Sequence, residues 1–285
     1  MPIEFRGVTF VYNRKSPFQY EALHDVSLRL EEGRFIALVG RTGSGKSTLI
    51  QHLNALLSPS EGEVRIDEFL NSSDKKKRTK KLKGLRKKVG LVFQFPEYQL
   101  FEETVEKDVA FGPRNFGFGK EAALQLAHES LATVGLGKSF YERSPFELSG
   151  GEKRKVAIAG ILALDPDILV VDEPTAGLDP EAAREMMQLF ESIHSQGKTI
   201  ILVTHDMNLV DRYADIVVVM DDGKVAEVGK PRDLFAHPLE RYSLEVPALY
   251  ETARYLNAHG YHIDESSVND TTTLAEAIAK ERLKK

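Results

Sequence analysis

FIALVGRTGSGKSTLI, residues 35–50, is the stretch from which the fold of the whole chain can be worked out. It opens with an apolar run that lacks polar alternation, the pattern of a strand buried on both faces. Residues 40–47 then read GRTGSGKS and fit G-x-x-x-x-G-K-[ST], and a helical pattern follows over 46–57. Gly40, Gly43 and Gly45 let the backbone of Gly40–Arg41–Thr42–Gly43–Ser44–Gly45 curl, so that successive N–H groups converge on phosphate oxygens. The start of a helix at Lys46 adds a partial positive charge. Lys46 is expected to reach the β- and γ-phosphates, and the Ser47 hydroxyl to bind Mg²⁺ beside Thr48. By chance the pattern arises in about one chain in a hundred of this length, and its strand–loop–helix setting lowers that further.

Four more runs match the first. VGLVFQ (89–94), DILVVDE (167–173), TIILVTH (199–205) and DIVVVMD (215–221) are apolar and rich in β-branched residues. Helical patterns lie between the runs over 46–57, 122–134, 151–163 and 180–196. The alternation predicts an α/β fold with a mostly parallel core sheet covered by helices. In such sheets ligands gather at the carboxyl ends of the strands. Gly40, Gln94, Asp172, Glu173 and His205 all fall there. IEFRGVTFVY and EGEVRID mix polar and apolar residues and predict an antiparallel β part. Residues 95–165 predict a mostly helical insert, and 231–285 a C-terminal helical appendage built from PRDLFAHP, VPALYETARYLNAHG and TTTLAEAIAKERL. Thr273 and Glu276 have the spacing of a capping box.

The strand tips carry the chemistry. ILVVDE ends in Asp172, placed to hold the magnesium ion, and Glu173, placed to accept a proton from an attacking water. ELSGGEKRKVAIAGIL (147–162) starts a helix with Ser149, Gly150 and Gly151, whose exposed N–H groups make a second anion-binding surface or a plain helix cap. TAGLDP ends in Asp179–Pro180, a helix-start signal. His205 shares its register with Glu173 and is a polar partner for the γ-phosphate. FQFPEYQLFEETV (93–105) sets Gln94 beside a proline that forbids a regular strand, followed by Phe95, Tyr98 and Phe101 among acids. Those rings either dock a partner or pack the helical insert.

Composition excludes several classes. Of 285 residues 42% are hydrophobic, enough for a sizeable core, and the net charge of −5 does not by itself call for nucleic acid or membrane. The absence of cysteine fits a reducing cytosol and rules out a disulfide framework or thiolate metal site. No apolar run approaches the ~20 residues of a membrane helix, and the N-terminus has no apolar signal region. KKKRTKKLKGLRKK (75–88) reads as a solvated connection, with attraction to anionic lipid heads as the sharper alternative.

Over residues 3–230 these motifs stand in the order of an ABC transporter ATP-binding subunit, which the chain resembles: Tyr12, Walker A at 40–47, Gln94 of the Q-loop, LSGGE at 148–152, Walker B at 168–173, Asp179 of the D-loop and His205. Glu152 departs from the commoner glutamine. The resemblance implies two cassettes facing head to tail. Tyr12 would stack on adenine, and Lys46 with the 40–48 backbone would bind phosphate. Ser47, Gln94 and Asp172 would serve Mg²⁺ with ATP, Glu173 would polarise water, and His205 would steady the γ-phosphate. Ser149, Gly150 and Gly151 would contact the ATP of the other cassette. FQFPEYQLFEETV, GPRNFG (112–117) and the appendage are similar to the energy-coupling factor subgroup, which drives vitamin or transition-metal uptake. That implies a peripheral protein on the cytoplasmic face of the cell membrane. Its expected partners are a second ABC ATPase (a paralogue by analogy), an integral membrane coupling protein met by Phe95, Tyr98 and Phe101, and indirectly a substrate-binding membrane protein, with no nucleic acid. The alternatives are the ATPase of another ABC importer, or a soluble ABC ATPase acting on DNA.

Overall fold

The computed structural model describes residues 2–236, 239–268 and 270–282. The chain opens with two long antiparallel strands, Pro2–Tyr12 (β1) and Tyr20–Glu31 (β2). Phe35–Val39 (β3) starts the core sheet and feeds Lys46–Leu53 (α1). Glu61–Ile66 (β4) and Phe69–Ser72 (β5) return to β1, giving an antiparallel sheet of order β2-β1-β4-β5. Leu82–Lys88 (α2) leads into Val89–Val92 (β6). The helices Val105–Asn115 (α3), Lys120–Thr133 (α4) and Gly150–Leu162 (α5) form the predicted insert ahead of Ile168–Asp172 (β7). Pro180–Ser195 (α6), Thr199–Val203 (β8), Met207–Tyr213 (α7), Ile216–Asp221 (β9) and Lys224–Gly229 (β10) follow. Pro231–Phe235 (α8), Ala248–Ala258 (α9) and Thr271–Arg282 (α10) make the appendage.

The core sheet has the order β10-β9-β3-β8-β7-β6, with only β10 antiparallel to its neighbour. Every residue of β3, β6, β7 and β8 is buried, which explains why these strands read as unbroken apolar runs. Period two sorts them onto two faces. Ile36, Leu38, Val170 and Ile201 pack under the antiparallel sheet and α1. Phe35, Leu169, Val171 and Leu202 pack against Val109, Ala127, Val156 and Phe190 of the helical side. The appendage does not stand apart from the core. Leu234, Phe235 and Tyr250 share one apolar cluster with Ala37, Val39, Val217 and Val219. Among the described residues no helix is long and apolar enough to cross a membrane.

Four expectations are corrected. The helix expected over 46–57 stops at Leu53, because Ala55 turns to φ 53° and the amides of Leu56 and Leu57 fold back onto Gln51 O. The runs ending at Gln94 and His205 leave the sheet two residues earlier, at Val92 and Val203. Thr273 is not the cap of the last helix. Asp270 is, its Oδ1 accepting from Thr273 N at 2.8 Å, while Thr273 Oγ1 accepts from Asp270 N at 3.0 Å. Lys88, the last residue of the basic run, is not a solvated cation: it bridges Asp67 and Asp167 and lies 14% exposed. Burial would lower its ammonium pKa, but the hydrogen bonds it donates to these carboxylates push it up. His237, Pro238 and Leu283, parts of the appendage pattern, lie outside the described residues.

Candidate active site

The loop at 40–47 folds as its glycines require. Gly40 has φ 144°, and a Cβ there would come within 2.1 Å of Met220 O. Gly45 has φ 99°, and its Cβ would meet Ala22 O at 2.7 Å. Both sites put backbone against backbone, where a side chain has no room to move aside. The Lys46 ammonium donates to Gly40 O at 2.6 Å and Arg41 O at 2.9 Å, spanning the loop that it closes. Burial lowers its pKa, opposed by the charges of Glu173 and Asp172.

A cavity of about 390 Å³ opens over this loop. Thr42, Gly43, Gly45, Lys46, Ser47 and Thr48 form its floor. Gln94, Asp172, Glu173 and His205 come to it from the ends of three other strands. The sheet does this, because β3, β6, β7 and β8 run parallel and end on one side. Ser47 Oγ donates to Asp172 Oδ2 at 3.2 Å. Burial raises the Asp172 carboxyl, and the neighbouring Glu173 adds to that against the Ser47 hydrogen bond and Lys46. A buried carboxylate of this kind is stabilised by a cation. One carboxylate, one hydroxyl and the Gln94 amide beside a phosphate site form a hard oxygen set that fits Mg²⁺, which takes few protein ligands and completes its shell with phosphate and water. His205 Nδ1 lies 2.8 Å from Glu173 Oε1. The imidazole is 78% exposed at the mouth, while the carboxylate is 16% exposed and points inward.

Arg41 and Ser44 are not on the cavity wall. Arg41 pairs with Asp221 at 3.2 Å, and Ser44 is buried within the loop. Tyr12 stands one layer behind the wall, its hydroxyl 3.1 Å from Thr48 Oγ1 and its ring edge-on to Phe10. Tyr20, its cross-strand partner on β2, lines the cavity instead and is 56% exposed. Sequence reasoning missed Tyr20. The signal available was the pairing of the two strands, which puts Tyr20 opposite Tyr12.

Ser149, Gly150 and Gly151 are not in this cavity. Ser149 caps α5 in a reciprocal box: its N–H donates to Glu152 Oε2 at 2.8 Å, and its Oγ accepts from Glu152 N at 3.3 Å. Glu152, the departure from the commoner glutamine, thereby completes the box, and the backbone bond from Ser149 holds its carboxyl below the ordinary range. Ser149 and Gly150 are exposed, although the Ser149 amide is already held by Glu152. Asp179 caps α6, accepting from Glu181 N at 3.0 Å and Ala182 N at 2.9 Å. Pro96 is buried in a short 3-10 turn over Pro96–Gln99, while Tyr98 is 85% and Phe101 55% exposed, with Phe95 partly so. Phe101 sets its edge on Phe111 at 4.8 Å.

The family model for the ABC transporter matches residues 23–176. The chain belongs to the ABC transporter ATPase family. It couples ATP hydrolysis to transport. Within the family it is 53% identical over 265 residues to the energy-coupling factor transporter ATP-binding protein EcfA2 of Lactococcus lactis subsp. lactis (strain IL1403), covering 92% of this chain and 91% of that one. Among solved structures it resembles cbiO1 from Clostridium perfringens, part of the ABC transporter complex cbiONQ, with TM-score 0.72 and 32% identity over 90% of this chain and 95% of the other. It also resembles the ATP-binding cassette MJ0796, seen as a dimer in a post-hydrolysis state with ADP and Pi, with TM-score 0.70 and 34% identity over 81% and 99%.

Proposed function

We propose that this ABC ATPase powers an energy-coupling factor transporter that takes up vitamins or transition-metal ions, paired with a second, paralogous ATPase beneath a membrane coupling protein. The observation that carries the reading is the split of the site. Lys46, Ser47, Gln94, Asp172, Glu173 and His205 meet in one cavity, while Ser149 and Gly150 stand exposed outside it. A chain built this way holds half of two sites. The dimeric form of MJ0796 and the likeness to EcfA2 support the same arrangement.

In this chain's own half, Lys46 leaves the carbonyls of Gly40 and Arg41 and takes the β- and γ-phosphates, which are stronger acceptors. Loop amides from 40–48 hold the remaining oxygens. Ser47, Asp172 and Gln94 would hold Mg²⁺, which would neutralise charge building on the phosphates. Glu173 accepts the proton of the attacking water. His205 fixes the Glu173 carboxylate through Nδ1 and presents its other ring nitrogen to the γ-phosphate. Tyr20 receives the adenine, with Tyr12 behind it, tied to Thr48. In the facing cassette Ser149, Gly150 and Gly151 close over the second ATP, with Asp179 at the seam. Phe95, Tyr98 and Phe101 meet the membrane coupling protein.

Replacing Phe95, Tyr98 and Phe101 together by serine tests the docking role. ATPase activity of the purified chain is expected to survive, while membrane subunits are lost on co-purification from the host. Full retention of those subunits would make the three rings a local packing feature.

A further inference from the structure

Arg154 is a cation that the nucleotide chemistry does not use, yet it is 3% exposed. It lies one turn into α5, the helix that Ser149 caps. Its guanidinium faces two ways. On one side Nη2 donates to Glu97 Oε1 at 2.8 Å and Nε to Glu97 Oε2 at 3.1 Å, a bidentate pair. On the other side Nη1 donates to Pro174 O at 3.1 Å and Ala176 O at 2.8 Å. The guanidinium also lies over the Phe95 ring, 5.6 Å from its centroid. A planar fork is the one side chain that can hold a carboxylate and two carbonyls in fixed directions at once. Burial would raise the Glu97 carboxyl, but the Arg154 hydrogen bonds and charge outweigh it and hold it below the ordinary carboxylate range.

The partners are not arbitrary. Glu97 sits inside the turn that carries Phe95 and Tyr98. Pro174 and Ala176 lie one and three residues after Glu173. Phe95 and Glu173, one at each end of this connection, both hold a left-handed backbone, with φ 55° and 47°. Such conformations in bulky residues persist only where the surroundings fix them, and they gather at switches and active sites.

We propose that Arg154 is a positioning residue that couples the docking turn at 95–99 to the loop behind Glu173, so that movement at either end is felt at the other. The physical element is one rigid guanidinium shared by three segments: the turn, the start of α5 and the loop leading to Asp179. The proposal rests on reading 95–101 as the docking segment, but its test does not need the membrane partner.

The chain contains no cysteine, so Tyr98→Cys gives a single exposed labelling site. In a Glu173→Gln background, which keeps ATP intact, a bimane label at position 98 of the full chain is expected to shift its emission on MgATP and not on MgADP. Glu97→Gln and Arg154→Met are expected to reduce that shift at least fivefold, and Arg154→Lys to give an intermediate value. ATP affinity should stay within twofold in all three, and the Glu97→Gln chain should melt as a single folded species. If Arg154→Met fails to fold, Glu97→Gln alone carries the test. An undiminished shift in Glu97→Gln would overturn the proposal, leaving the pair a static contact. Absence of any MgATP shift in the parent would overturn it too. Loss of membrane subunits in the triple serine variant, alongside a normal bimane response in the separate Tyr98→Cys chain, or the reverse, separates docking from coupling.

Discussion

His205 Nδ1 and Glu173 Oε1 are 2.8 Å apart, held there by adjacent parallel strands in which Asp172 pairs with Val203. Each residue lies just beyond its strand, and Glu173 departs at φ 47°. The bond therefore joins two loops whose roots are fixed by the sheet. The expected consequence is a division of labour. Glu173→Gln removes the proton acceptor but keeps a side chain of the same shape, so ATP binding should change less than threefold. Turnover should fall by about 10²–10⁴. His205→Ala should lower kcat through loss of orientation, and should weaken nucleotide binding less than Lys46→Ala does. Steady-state hydrolysis with parallel nucleotide titration measures both.

Lys46 makes two hydrogen bonds to its own loop. Lys46→Ala removes a charged donor worth about 1.5–3 kcal/mol to a phosphate, or roughly 10–150-fold in affinity. Calorimetric titration with MgATP on the Glu173→Gln background reads this directly. The fold should persist, since the partners of Lys46 are two carbonyls of its own loop.

Tyr12 and Tyr20 make separable contributions. Tyr20 lines the cavity, whereas the Tyr12 hydroxyl is engaged with Thr48. Tyr20→Ala is expected to weaken ATP by the roughly 1–3 kcal/mol of a base–aromatic stack. Tyr12→Phe keeps the ring and is expected to change affinity by less than threefold. Titration with ATP and with inorganic triphosphate checks that the Tyr20 effect is confined to the base.

His52 is fully buried on α1, with Nδ1 donating to Thr48 O at 2.7 Å and Nε2 lacking a partner. Burial pushes its pKa down to about 4, against the opposing effect of the Thr48 bond. The unfolded chain titrates near 6.5, so between those values the unfolded state binds more protons. Stability is then present above about pH 6.5 and is lost as pH falls toward 4, by roughly 3 kcal/mol in all. Thermal melts from pH 7.5 to 4.5 should show the loss, and His52→Leu should make the profile flatter. An unchanged slope in that variant would assign the acid sensitivity to other groups.

Much of the site was legible because its parts are local. Residues 40–48 form one turn, and strand tips are marked by the end of an apolar run, so Asp172, Glu173 and His205 could be placed on one edge from the sequence alone. Asp179 announced its helix through the proline that follows. What stayed hidden depends on distant contact or on backbone angles. Arg154 and Glu97 are 57 residues apart, and a single arginine in a helix reads as surface. Tyr20 depends on the β1–β2 register. The early exits at Val92 and Val203 follow from backbone turns that residue type does not announce, such as Phe95 at φ 55°. The cap of the last helix went to Asp270 rather than Thr273 because both residues suit an N-cap, and the carboxylate is the stronger acceptor.

The central claim is that the chain works as one ATPase of a membrane complex. Intact-complex mass spectrometry after affinity purification of the chain from host membranes tests it most directly. The expected result is an assembly of two ATPase chains with integral membrane proteins, dissociating into this chain and a related second one. Recovery of the chain with DNA or ribosomes, and with no integral membrane protein, would contradict it.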